Sequence, residues 1–558
     1  MAKLEDAGID QNILANDIRE LASIGAGGLE FLPYYLHGGG PGVPAEAGEE
    51  VLAWDVHRRT YKHPIDGTLP GWGRGQLVSA ASGLIVKDAL PVSVIAHDSL
   101  QDITGMVELD GSISIEFSSD QTAIEYTIWA IYVNHSNYRA TRPGNDPQTL
   151  IQNGPWARLS RGFCLAWDDS IEIRANVYWT KSLLEAFSEA RGYPINKYLP
   201  IIFHDHAGHF GPSDSPWWVT GETDGGQSHI EDYRLTLLEL YRAYLQALND
   251  WSHDYLNMQF SCQVADIAQK RPHRDAPETE SYAFNHEIDA YRQFAGPAHL
   301  AGKRIISSEL AAAFDEAYQH TLPALLGDVK TSFAVGINQF VFHDTHQRHP
   351  PPWEYHKDSI DFTARLQYIG QIEVPRRDLV FWQKNVAVVT LVAKNYQGWD
   401  LVEAGNDHSG SFTGIQWLML GFVEECASAG WPVIFQGGLP SQLYGFNESG
   451  QSYVNSTINS IKSLPNVQII SFNDSLVATT ASMGITPLTA ISANGTWYTC
   501  WRSNTQSGID YVYIFNDSPY SEGTTYFAST GIPYVYDAWA GQQSSLHNYT
   551  STVSSTSI

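Results

Sequence analysis

Between Lys181 and Phe342 helical and extended patterns alternate, and this alternation narrows the possible folds more than any other feature of the chain. A helical stretch over Lys181 to Arg191 is followed by an apolar stretch from Leu199 to Phe203, read as a strand, and by a long helix from Ile230 to Leu248. Strands then fall at Leu256 to Cys262, Arg304 to Ser308 and Ile337 to Phe342, with a helix between the last two. Alternating units of this kind build parallel sheets, because each crossover carries the chain back to the same edge. Polar residues directly after each strand point to a (β/α)8-type barrel, whose active site lies at the C-terminal strand ends. An open doubly wound sheet is the alternative, but no G-x-G-x-x-G follows a strand.

The rest of the 558 residues must hold further units, at roughly 100–200 residues per domain. A helix over Asn12 to Ile24, stopped by Gly25 to Gly28, feeds an apolar run from Leu29 to Tyr35. Short alternating strands such as Ser114 to Phe117 and Ile128 to Tyr132 predict a small β-sandwich. The expected division is an α/β barrel over 1–70 and 146–374, an inserted β-sandwich at 71–145, a second α/β unit at 375–494 and the start of a C-terminal β-sandwich at 495–558.

A net charge of −28 repels phosphate backbones and anionic lipid, which argues against nucleic acid or membrane partners. No apolar run is long enough to span a bilayer, and MAKLEDAGID lacks the basic-then-apolar pattern of a signal peptide. Seven N-x-[ST] acceptors, Asn134, Asn447, Asn455, Asn473, Asn494, Asn516 and Asn548, nevertheless predict a secreted glycoprotein. The aromatic load of 17 Trp, 29 Tyr and 22 Phe suits sugar binding as well as core filling, since flat rings cover the apolar faces of pyranoses. Cys164, Cys262, Cys426 and Cys500 show no metal-ligand spacing and are either thiols or at most two bridges.

The chemistry-bearing stretches come in a fixed order. Asp169-Ser170-Ile171-Glu172 precedes Tyr178-Trp179-Thr180, then Arg191-Gly192-Tyr193 and Tyr198-Leu199-Pro200. Pro277-Glu278-Thr279-Glu280, Ala298-His299 to Gly302-Lys303, Ile306-Ser307-Ser308-Glu309 and the strand Val335 to His343 follow. Trp431 to Pro440 and the pair of strands from Trp501-Arg502 to Asn516 complete the series. In this order the chain resembles glycoside hydrolase family 106, the α-L-rhamnosidases. The resemblance implies an inverting glycosidase that acts on rhamnose-containing glycans, with calcium near the bound sugar. A carboxylate beside Trp167 and Trp179 is desolvated into a general acid, which assigns that part to Glu172. Glu309 ends an apolar strand and is the expected base, with Glu280, or Glu278 in its place, assisting. His343, Asp205, Trp179 and His204 are expected to bind substrate, and Asp205 and Glu280 to hold the metal.

Three other readings compete. His204-Asp205-His206 after a barrel strand is how metal-dependent amidohydrolases present two imidazoles. A carbohydrate-binding remnant without catalysis is the second, and a polysaccharide lyase the third. The remnant gains weight from the short connection between His37 and Val43, where the family pattern would place another helix and strand, and from a start that lacks the strand preceding the first helix. Those two gaps predict fewer than eight barrel strands, exposed Leu29 and Phe31, and weak or no hydrolysis.

Overall fold

The computed structural model describes residues 50–58, 68–69, 73–74, 76–89, 92–108, 113, 115, 125–135, 165–168, 179–202, 218–263, 276–281, 288–311, 321–342, 356–372, 374–376, 414–415, 417–443, 450–471, 473–552 and 556–558. The predicted helix over Asn12 to Ile24, Leu29, Phe31 and the connection from His37 to Val43 lie outside these residues.

Strands β1 (Glu50–Arg58), β2 (Gln76–Ala89), β3 (Val92–Ile95), β4 (Gln101–Asp102) and β5 (Glu125–His135) pair antiparallel in one sheet. Strand β6 (Leu165–Asp168) leaves this sheet, and helices α1 (Leu183–Arg191) and α2 (Leu199–Ile202) follow it. Strand β7 (Trp218–Thr220) then returns to the first sheet, adding parallel to β3 at its edge. The order is β1-β5-β2-β3-β7 with β4 beside β2, so the region expected to form a separate sandwich draws strands from both sides of 71–145.

Alternation along β2 and β5 sends Ala81, Trp129 and Ile131 to one face and Ala80 and Ile128 to the other. The first face receives Leu183 and Phe187 of α1, one turn apart, together with all four residues of α2. It also takes the first half of the long helix α3 (Gln227–Trp251) through Ile230 and Tyr233. Trp129 meets Trp218 edge-on with centroids 5.8 Å apart, and Phe187 meets Tyr193 likewise at 5.1 Å. Such pairs add about 0.5–1.5 kcal/mol beyond the area they bury.

The stretch from Leu199 to Phe203 was expected as a strand, and its described part is the short helix α2. The physical reason is local. Pro200 is tolerated in a first helical turn, where its missing N–H costs nothing, and an apolar run of this length has no periodicity to separate the two conformations. Gly226 at the start of α3 has φ +85°, and a Cβ there would stand 2.6 Å from Ile201 Cδ1, so only glycine lets α3 begin against α2.

Where β7, α1 and α3 meet, polar groups are tied together. Glu222 accepts from the Thr220 hydroxyl at 2.6 Å and faces His229 Nε2 and His97 Nδ1, each at 3.3 Å. The Tyr193 hydroxyl donates to Asp232 at 2.9 Å and lies 2.9 Å from His229 Nδ1, while the Tyr198 ring stacks on the imidazole. Burial alone would raise the Glu222 carboxyl, but hydrogen bonds from His229 and Thr220 and the nearby His229 and His97 imidazoles outweigh it and hold the group at about 2. Because that value is below the ordinary one of 4.5, the network stabilises the fold fully above that pH, and the contribution is lost as pH falls toward 2. Denaturant midpoints measured from pH 5 downward should therefore drop with a slope that Glu222→Gln removes; an unchanged slope in the variant would refute this.

The second sheet is parallel. After α3 and a π-helical turn over Ser252–Leu256 come β8 (Gln259–Gln263) and β9 (Ala276–Glu280), then α4 (Ile288–Leu300), β10 (Ser307–Leu310), α5 (Leu322–Val335), β11 (Gln339–Phe342) and α6 (His356–Gly370). The five strands β6, β8, β9, β10 and β11 stand side by side in chain order. Phe260 and Cys262 of β8 pack on Leu245 of α3, and Leu310, Phe340 and Phe342 pack with Leu325, Val329, Phe333, Phe362 and Leu366 of α5 and α6.

Beyond this sheet, β12 (Val374–Arg376) pairs with a C-terminal strand described below. Helix α7 (Trp417–Ser428), β13 (Val433–Gln436), α8 (Gly450–Ile461) and β14 (Val467–Ile470) share a core of their own, with β13 and β14 parallel. The antiparallel hairpin β15 (Trp497–Asn504) and β16 (Ile509–Asn516) has β12 on its open edge. It rests on α5, where Phe333 meets Tyr513 edge-on at 4.8 Å, and Arg502 Nε donates to the Ile372 carbonyl at 2.6 Å. Cys262, Cys426 and Cys500 are free thiols.

Candidate active site

In a parallel sheet, paired residues stand on the same face and successive residues on opposite faces. Gln263 pairs with Glu278, Glu278 with Ser307, and Glu280 with Glu309. With Phe260, Cys262 and Leu310 directed at the helices, the alternation puts Gln263, Glu278, Glu280 and Glu309 together on the other face. Gln263, Glu280 and Glu309 sit at or next to the C-terminal ends of their strands, the edge at which parallel α/β folds carry their chemistry.

One amide joins the two outer carboxylates. Gln263 Nε2 donates to Glu280 Oε2 at 2.9 Å and to Glu309 Oε2 at 2.7 Å. Gln263 is 1% exposed, Glu309 6% and Glu278 fully buried, so these three are held away from bulk water, while Glu280 is half-buried. The Ser281 N–H also donates to the Glu309 carbonyl at 2.8 Å, locking the ends of β9 and β10 in register. Two residues after Glu309 the backbone turns sharply. Ala311 has φ +63°, a left-handed conformation that costs a residue with a Cβ roughly 1 kcal/mol or more. Strain of this kind persists where surrounding packing fixes the chain, and Ala311 is buried in the core under α5 and α6.

Behind the carboxylates, Tyr291 of α4 is buried, and its phenol is pushed well above the ordinary range by desolvation first and by Asp328 next, with Glu280 adding to the effect. Tyr291 is therefore a neutral hydrogen-bonding group at any physiological pH, set beside Ser308 and Ser332 on the helix side of the sheet.

Of the residues expected from the sequence, the structure brings Glu280 and Glu309 together. Glu278, the alternative to Glu280, lies deeper on the same strand face. Trp179 packs half-buried against the core of the antiparallel sheet. Glu172, His343, His204 and Asp205 lie outside the described residues, as does His206 of the two-imidazole reading. Among the described residues no group of three His, Cys, Asp or Glu is placed to hold a metal ion. Sequence reasoning missed Gln263. It falls one position past the predicted strand end at Cys262, and only its place at the edge of a parallel strand could have drawn attention to it.

Glu309, buried, and Glu280, half-buried, thus stand bridged on the C-terminal edge of a parallel sheet, where α/β folds carry their chemistry. Residues 157–353 match the glycoside hydrolase family 106 profile, described as alpha-L-rhamnosidase, and the chain carries a domain of that family. The matched segment contains β6 to β11 and both bridged carboxylates. Among solved structures, the rhamnosidase from Novosphingobium sp. PP1Y is similar in fold, with a TM-score of 0.60 at 16% identity over 83% of this chain. The likeness covers 52% of that protein, so the chain spans about half the length of the rhamnosidase it resembles. No curated protein matches the sequence significantly.

Proposed function

We propose that this chain carries the sugar-cleaving site of an α-L-rhamnosidase that removes terminal α-L-rhamnosyl residues from glycans. The observation that carries the reading is the Gln263-bridged pair of Glu280 and Glu309 inside the segment matched by the family. A (β/α) barrel frames it in this proposal. Support comes from five parallel strands in chain order with helices on their apolar face, since an open doubly wound sheet would reverse its strand order and take helices on both faces.

Glu309 serves as the base that draws a proton from water, and Glu172 as the acid that protonates the leaving oxygen. Inversion places water between them, which requires a carboxyl separation of roughly 6.5–9.5 Å. Hydrolysis of an aryl α-L-rhamnoside by the purified protein, followed by NMR of the sugar first released, tests the reading. The β-anomer is expected first; release of the α-anomer, or no turnover at all, would overturn it. Glu172→Gln should abolish cleavage of alkyl rhamnosides while sparing activated aryl ones, whose leaving groups need little protonation.

Calcium belongs to the same proposal, with Glu280 and Asp205 as ligands. The donor chemistry suits a hard cation, because Glu280 supplies carboxylate oxygens and, among the described residues, the buried Gln263 Oε1 has no hydrogen-bond partner. A bound calcium would neutralise the carboxylates and offer coordination to vicinal sugar hydroxyls. Exhaustive chelation should raise KM for the rhamnoside, with recovery on adding calcium; unchanged kinetics would remove the metal from the account. Secretion as a glycoprotein is likewise proposed, supported by exposed acceptors at Asn455, Asn473, Asn494 and Asn548. Loss of mass on enzymatic removal of N-glycans from the native protein is the check.

A further inference from the structure

We infer that Gln263 is a positioning residue, whose single amide nitrogen fixes the spacing and the orientation of Glu280 and Glu309. The inference rests on the rhamnosidase reading for its catalytic meaning, but the bridge itself is a matter of geometry.

Glu280 and Glu309 are Cα partners on adjacent strands, so their side chains leave the sheet next to each other on one face. Like charges in that relation repel, and at 6% exposure water does little to screen Glu309. That repulsion favours rotamers that carry the two carboxylates apart. The Gln263 amide prevents this, because its two N–H bonds are fixed in a plane and each is given to a different carboxylate, at 2.9 and 2.7 Å. With near-linear hydrogen bonds, the two accepting oxygens are held about 5 Å apart. Gln263 is in turn fixed by burial, being 1% exposed at the end of a strand that packs on α3. Among the described residues, Glu278 on β9 shares this face, whereas Tyr291 on α4, with Asp328 on α5 near it, lies by Ser308 on the helix side of the sheet. None of them takes the place of a donor that spans both carboxylates.

A side chain that aligns the base, without touching the reacting atoms, affects kcat far more than KM, and its effect vanishes once the base is gone. Gln263→Met keeps the volume and loses both donors. It should lower kcat by about 10²-fold with KM within about twofold. In a Glu309→Gln background the same substitution should change kcat by less than about threefold, since the group it aligned no longer acts. A merely structural role would instead lower activity by the same factor in both backgrounds, and that result would overturn the inference.

An arm independent of activity uses denaturant unfolding of chelated protein. Gln263→Met leaves the buried Glu309 and the half-buried Glu280, two adjacent like charges, without their shared donor, so Glu280→Gln in that background should restore part of the lost midpoint. Simple addition of the two single effects would again overturn the bridge. If Gln263→Met does not fold, Gln263→Glu is the second variant. It places a third carboxylate among the two, and Glu280→Gln should relieve it in the same way. A wild-type protein with no turnover would refute the rhamnosidase reading alone, because the unfolding cycle still decides the role of Gln263.

Discussion

Replacing Glu309 by Gln should reduce rhamnoside hydrolysis by about 10³-fold in kcat, within the 10²–10⁴ that a general base ordinarily contributes. The substitution leaves the number of heavy atoms unchanged, and the new amide oxygen can still accept from Gln263 Nε2, so the surroundings at 2.7 Å need not rearrange. Only the capacity to take a proton from water is removed. KM for an aryl α-L-rhamnoside should therefore stay close to wild type, and added azide, a nucleophile that needs no deprotonation, should recover part of the rate. A variant that keeps more than a third of the wild-type kcat would show that Glu309 is not the base.

The second large effect is on stability. Asn338 is 1% exposed and uses its side chain completely: Oδ1 accepts from the Ile306 N–H at 2.8 Å, and Nδ2 donates to the carbonyls of Arg304 at 2.8 Å and Gly370 at 2.9 Å. It thereby ties the entry to β10, the entry to β11 and the C-terminus of α6. Asn338→Ala strands the buried Ile306 N–H and Gly370 carbonyl, each costing about 1–3 kcal/mol, and frees the part-buried Arg304 carbonyl, so a total of about 2–4 kcal/mol is expected after partial relaxation. Asn338→Asp should be no better, since it keeps the acceptor for Ile306 but turns a carboxylate toward two carbonyl oxygens. Urea unfolding measures both, and a loss under about 1 kcal/mol in Asn338→Ala would sink the account.

The same residue illustrates what could be read from the sequence and what could not. Asn338 was visible as part of a strand motif, and Glu309 as the end of an apolar strand, whereas the choice between Glu278 and Glu280 stayed open because the strand that carries both has no apolar pattern. Long periodic helices were equally plain: the pattern from Ile230 to Leu248 belongs to α3, which extends three residues further at each end. Gln263 was not legible, because an amide is common on any surface and its meaning here comes from burial between two carboxylates that are 17 and 46 residues away. The helix α2 was misread because four apolar residues carry no period and are buried whichever conformation they adopt. Arg502, noted only as part of a late motif, turns out to anchor β15 to the end of α6 through the Ile372 carbonyl, a contact between positions 130 residues apart that no local pattern encodes.

Helix α3 has a consequence for how the molecule comes apart. Its 25 residues make a rod about 37 Å long. The first half is buried against the antiparallel sheet through Ile230 and Tyr233, and the second half against the parallel sheet through Leu245. A helix frays from its ends, but each end of this one is clamped by a different sheet, so neither sheet can shed it without exposing the contacts of the other. The two sheets are thus joined into one cooperative unit, and the carboxylate edge inherits the rigidity of a layer with which it has no catalytic business.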